Sequence, residues 1–119
     1  MLSLALPVEI FLCLEPTDLR CGFDRLSQRA AEHARRNVRN GGLYVFLNRR
    51  RDRLKLLYWD LDGPAVWYKR LEAGTYQLPV AAKDVKSTTL APDELSLILS
   101  GIDLTSVRRR KRFSVTAEK

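Results

Sequence analysis

LYVFLNRRRDRLKLLYWDLDGPAVWYKRL, residues 43–71, decides how the chain folds. Leu43, Val45 and Leu47 alternate with Tyr44 and Phe46, the period of two that a strand with two distinct faces requires. Asn48 to Arg53 interrupt this pattern with four arginines and one aspartate. The apolar pattern resumes at Leu54-Lys55-Leu56-Leu57-Tyr58-Trp59, Asp62-Gly63-Pro64 turns the chain, and Ala65-Val66-Trp67-Tyr68 makes a third run. The stretch predicts three strands, with the arginine loop standing out as a cationic tip.

Working outward, Val8 to Leu14 predicts another strand, with Val8, Ile10, Leu12 and Leu14 on one face and Phe11 and Cys13 on the other. Glu15-Pro16-Thr17-Asp18 ends it. A helix is expected from about Gly22 to Asn37, where Phe23, Leu26, Ala30 and Ala34 form one apolar stripe. Its start carries Asp18 and Asp24 and its end Arg35, Arg36 and Arg39, each complementing the helix dipole. Arg25, Arg29 and Arg36 are expected on a solvated stripe, with His33 exposed beside it. Asn40-Gly41-Gly42 stops the helix and hinges the chain into the sheet. On the far side, Thr75 to Leu78 reads as a fourth short strand, residues 80–89 as a loop, and Pro92 opens a second helix that runs to Gly101. The expected fold is α+β: an antiparallel sheet of four or five strands with two helices packed on it, forming one domain over residues 1–105. A basic tail, residues 106–119, is expected to be disordered, because Arg108, Arg109, Arg110, Lys111 and Arg112 repel one another.

The net charge of +7 is concentrated in two blocks: residues 35–55 carry +7 and residues 108–119 carry +5, on an otherwise acidic chain. Such blocks favour a polyanionic partner and salt-sensitive association, although solvated loops give the same composition. No apolar run approaches the ~20 residues that span a bilayer. The apolar start, Met1 to Leu6, lacks a preceding basic residue, so a cytoplasmic protein without a signal peptide is expected. Cys13 and Cys21 with one histidine, His33, fall short of a structural zinc set; no metal and no cofactor are expected, and Cys13 reads as a buried small side chain.

Neither G-x-G-x-x-G nor G-x-x-x-x-G-K occurs. His33 has only Ser27 and Cys21 as nearby nucleophiles, a weak arrangement. Asp18, Asp24, Asp60, Asp62 and Glu94 are the carboxylates a metal-dependent nuclease would draw on, yet each has a local explanation at a turn or helix start. Catalysis is therefore not expected. The aromatic residues Tyr44, Phe46, Tyr58, Trp59, Trp67 and Tyr68 are open to three uses: core, a face for a protein partner, or a stacking platform for single-stranded nucleic acid.

Thr17-Asp18-Leu19-Arg20-Cys21-Gly22-Phe23-Asp24-Arg25-Leu26 resembles the TDMRKGFDGL block of the TnpB accessory proteins of the insertion sequence sixty-six family. Leu43 to Phe46, Arg49-Arg50-Arg51-Asp52, Lys55 to Asp60 and Lys69 to Gly74 resemble its second block. Leu95 to Leu99 with Gly101-Ile102-Asp103 is similar to its closing helix and GID signature. The resemblance spans about residues 5–105; departures are Cys21 for a lysine, Ala91 for a threonine and Leu104 for a tryptophan. It implies a small accessory protein of a bacterial mobile element, encoded beside a separate transposase, with no known catalytic activity. Combined with the charge pattern, this predicts DNA binding through Arg49, Arg50, Arg51, Arg53 and Lys55, supported by Arg35, Arg36, Arg39 and the Arg108–Arg112 run. The alternative is an adaptor that docks the transposase through an aromatic sheet face.

Overall fold

In a computed structural model, which describes residues 9–78 and 85–101, the period-two stretch forms β2 (Leu43–Leu47), β3 (Arg53–Asp60) and β4 (Gly63–Arg70). β1 (Ile10–Cys13) and β5 (Ser87–Leu90) complete a five-stranded sheet ordered β4-β3-β2-β1-β5. Helix α1 (Phe23–Ala34) connects β1 to β2, and α2 (Pro92–Ser100) follows β5. The fold is α+β, with two α-helices and five strands among the described residues. The sheet is mixed rather than wholly antiparallel, because β1 and β2 pair in parallel (Ile10 with Leu43, Leu12 with Val45). A parallel pair needs a long crossover, and the connection containing α1 provides it.

Alternation sorts the side chains into two cores. Ile10, Leu12, Leu43, Val45, Leu47, Leu54 and Leu56 meet Leu95 and Ile98 of α2 on one face of the sheet. Cys13, Tyr44, Phe46 and Leu57 meet Leu26 and Ala30 of α1 on the other. With both faces covered, each fully buried leucine contributes about 1.5–3 kcal/mol. Cys13 is buried as expected, and both cysteines are free thiols.

Three segments depart from the sequence reading. The fifth strand is not Thr75 to Leu78 but Ser87–Leu90, from a segment expected to be loop. Its polar Ser-Thr-Thr hides any apolar period, and antiparallel pairing with β1 makes the strand. Tyr76 instead buries its ring in the α2-side core and donates its backbone N–H to Arg51 O at 2.7 Å. Helix α1 also ends early: Arg35 turns left-handed (φ 57°), and the Asn37 side chain accepts from Arg39 N to start a separate 3₁₀ turn, Val38–Asn40. A side chain bonding its neighbour's backbone competes with helix propagation here. Gly41 and Gly42, at φ 97° and 96°, then redirect the chain into β2 where a larger residue would be strained.

At α2, Pro92 opens the helix and Gly101 ends it in the left-handed region, as its position predicts. Glu94 accepts from Ala91 N at 2.8 Å. Alanine offers no acceptor in return, so only half of a capping box is made.

Candidate nucleic-acid interface

Asn48 organises the β2–β3 connection. Its carbonyl accepts from Arg51 N (3.1 Å), its side-chain oxygen accepts from Asp52 N (3.1 Å) and Arg53 N (3.0 Å), and its amide donates to Asp52 Oδ1 (2.7 Å). An asparagine at the first position of a turn is suited to this self-bonding. Arg51 sits in the left-handed region (φ 59°), which an L-residue other than asparagine or glycine adopts at a cost of about 1–2 kcal/mol. Backbone bonds from Leu71 N to Asp52 O (2.8 Å) and from Tyr76 N to Arg51 O hold the loop from behind. The arginine tip is thus a pinned turn.

Asp52, the acid within the tip, is occupied locally. The hydrogen bond from the Asn48 amide holds its carboxyl below the ordinary 3.8 against the opposing effect of desolvation, with lesser help from the charges of Arg50 and Arg53. Among the described residues, none of Arg49, Arg50, Arg51 and Arg53 makes an ion pair.

Arg49, Arg50, Arg53 and Lys55 line a groove of about 780 Å³ with the 16–20 loop and Tyr68. Lys55 and Tyr68 are cross-strand partners; the Lys55 ammonium lies 5.3 Å from the centre of the Tyr68 ring and donates to Cys21 O at 3.4 Å. The groove's acid, Asp18, is also neutralised: Arg20 forks both its oxygens at 2.9 and 2.8 Å and keeps its carboxyl far below the usual range. The 16–20 wall is stapled in place. Thr17 N donates to Leu47 O (2.8 Å), and Arg29 Nη2 donates to Pro16 O and Thr17 Oγ1, both at 3.1 Å. Just before the wall, Glu15 Oε1 meets His33 Nε2 at 2.7 Å, while His33 Nδ1 faces Arg29 O at 3.0 Å. Arg29 and His33 therefore do not stand on an exposed stripe. Both reach back to the β1 end, and the His33 side chain is only 7% exposed.

The remaining expected residues lie elsewhere. Arg51 does not line the groove. Arg35, Arg36 and Arg39 border a second groove with Trp59 and Pro64, at the opposite end of β3 from the tip. There Arg36 pairs with Glu9 at 2.6 Å and lies 5.5 Å from the Phe11 ring, and Arg39 covers Trp59 at 5.3 Å. The Arg108–Arg112 run lies outside the described residues.

The six aromatics do not share a face. Tyr44 and Phe46 are core on the α1 side, where Trp59 and Tyr68 also point; Tyr58 and Trp67 pack on the α2 side. The carboxylates considered for a nuclease are likewise spread out. Asp18 is in the first groove, Asp24 borders the second, Asp60 and Asp62 flank the β3–β4 turn, and Glu94 caps α2.

Sequence reasoning named Tyr68 only as one of six aromatics open to core, partner or stacking use, and it missed the Asp18–Arg20 pair as the wall and Asn48 as the organiser. Asn48 carried a signal, an asparagine opening a polar turn. What singles Tyr68 out from the other aromatics, its place beside Lys55, depends on strand register.

A family model described as IS66 Orf2 like protein matches residues 8–109. Two curated relatives come from Sinorhizobium fredii. "Uncharacterized protein y4hO" is 35% identical over 96 residues, covering 81% of this chain and 82% of the relative. "Uncharacterized protein y4jC" is 32% identical over 103 residues, covering 87% and 86%. No solved structure matches. The five-stranded sheet with its pinned arginine turn is thus the fold of a chain that belongs to the IS66 Orf2-like family, the insertion-sequence accessory proteins.

Proposed function

We propose that this protein is a non-enzymatic, cytoplasmic accessory factor of insertion-sequence transposition that holds DNA by its phosphates in the groove beside the arginine turn. One observation carries the reading. Arg49, Arg50, Arg53 and Lys55 face one groove and make no ion pair among the described residues, while Asp18 is forked by Arg20 and Asp52 is bonded first by Asn48. Neutralising such cations with phosphate releases counterions and gives affinity without reading sequence. The pinned backbone lowers the ordering cost of binding. The Arg108–Arg112 run would add phosphate contacts, and the transposase would supply the chemistry.

The test is a binding titration of the Arg49→Ala/Arg50→Ala/Arg53→Ala variant with element-end duplex at low salt. A loss on the order of 100-fold in affinity, with thermal stability kept, is expected. Unchanged affinity would refute the reading.

A further inference from the structure

Tyr68 is 48% exposed on β4, an edge strand of the sheet, and its ring lies in the groove that the unpaired arginines line. Edge strands commonly protect themselves with charge, as Lys69 and Arg70 do here. The Lys55 ammonium lies 5.3 Å from the centre of the Tyr68 ring, which is nonetheless left half exposed to the groove. On the α1 face, Lys55 stands directly across from Tyr68, and the next pair toward the tip is Arg53 with Arg70. Arg70 is offset by Glu72 at 3.2 Å, whereas Arg53 and Lys55 have no acidic partner among the described residues. A half-exposed aromatic ring sharing a groove with cations that have no acidic partner among the described residues matches a strand of nucleic acid, whose bases alternate with phosphates. A duplex keeps its base faces stacked and offers a groove wall only phosphate and sugar, so the ring gains nothing from it.

We propose that the groove takes single-stranded DNA, with one base stacked on Tyr68 and its flanking phosphates on Arg49, Arg50 and Arg53. This inference rests on the DNA-binding reading above and adds the strandedness of the ligand. Stacking on an aromatic side chain is tolerant of base identity, so pyrimidines and purines both bind.

The probes are a fluorescent oligothymidine, an abasic oligomer of the same length, and a duplex, measured by anisotropy against the full chain. Tyr68→Ala should weaken oligothymidine binding by about 5- to 100-fold and leave the abasic and duplex affinities unchanged. Tyr68→Phe, which keeps the ring, should bind like the wild type. The salt slope should be the same for all three proteins, since no cation is removed. Equal wild-type affinity for oligothymidine and abasic strand, or a Tyr68→Ala variant that binds oligothymidine normally, would overturn the stacking proposal and leave phosphate binding standing. Failure of all three probes to bind at low salt would overturn both readings.

Discussion

The two grooves contain similar numbers of arginines but differ in how those arginines are spent. Beside the β2–β3 turn, the acids are taken by Arg20 and Asn48, and the tip arginines keep no acidic partner among the described residues. At the other end of β3, Arg36 is paired with Glu9, so part of the cationic charge is already offset inside the molecule. A cation over a ring is common to both grooves, Arg39 on Trp59 here and Lys55 on Tyr68 there. Counting charges along a chain cannot separate these cases. Which acid stands beside which arginine decides how much potential is left for a ligand.

The contrast is sharpest if each groove is stripped in turn. Arg49→Ala/Arg50→Ala/Arg53→Ala should lower duplex affinity on the order of 100-fold at low salt, and Arg35→Ala/Arg36→Ala/Arg39→Ala by less than about 10-fold. Equal losses would erase the distinction between the grooves. Next in size is the scaffold of the first groove. Asn48→Ala removes three side-chain hydrogen bonds and should cost about 1–3 kcal/mol, read from chemical denaturation, with a parallel drop in DNA affinity. Retained stability would show that the turn is held by its backbone bonds alone.

A smaller effect of opposite sign is expected at the second groove. Glu9→Gln should release Arg36 and raise low-salt DNA affinity a few-fold, up to about 5-fold. The last prediction concerns the clasp behind the first groove. The hydrogen bond from His33 is the main influence holding the Glu15 carboxyl below its ordinary 4.5. A depressed carboxylate value means stability that is complete above the unfolded value and lost as pH falls through the folded one. Thermal midpoints of wild type and Glu15→Gln should therefore differ near neutrality and converge in acid, as the pH falls through the lowered folded-state value. A gap that persists in acid would detach Glu15 from this role.

Much of the fold was legible because period-two alternation and helix punctuation are local signals. Residues 43–71 placed β2, β3 and β4 in order, and Pro92 with Gly101 bracketed α2. The turn expected at Asp62-Gly63-Pro64 is instead Leu61-Asp62, because Gly63 and Pro64 already pair with Asp60 and Trp59 as the start of β4. What failed depended on distant partners. Ser87–Leu90 becomes a strand only because β1 lies beside it. The parallel β1–β2 pairing follows from the crossover helix, which the order strand-helix-strand already implied. The site divided in the same way. The arginine cluster was visible as composition, and Asn48 as turn chemistry. The exclusion of Arg51 from the groove, the diversion of Arg29 and His33 to the β1 end, and the pairing of Tyr68 with Lys55 all required the register.

The most direct measurement is the salt dependence of duplex binding, from about 50 to about 200 mM, for the wild type and the Arg49→Ala/Arg50→Ala/Arg53→Ala variant. Three phosphate contacts in the first groove predict a plot of log affinity against log salt that is shallower by about 3 in the variant. Two lines of equal slope would show that these arginines meet no phosphate and would contradict the account.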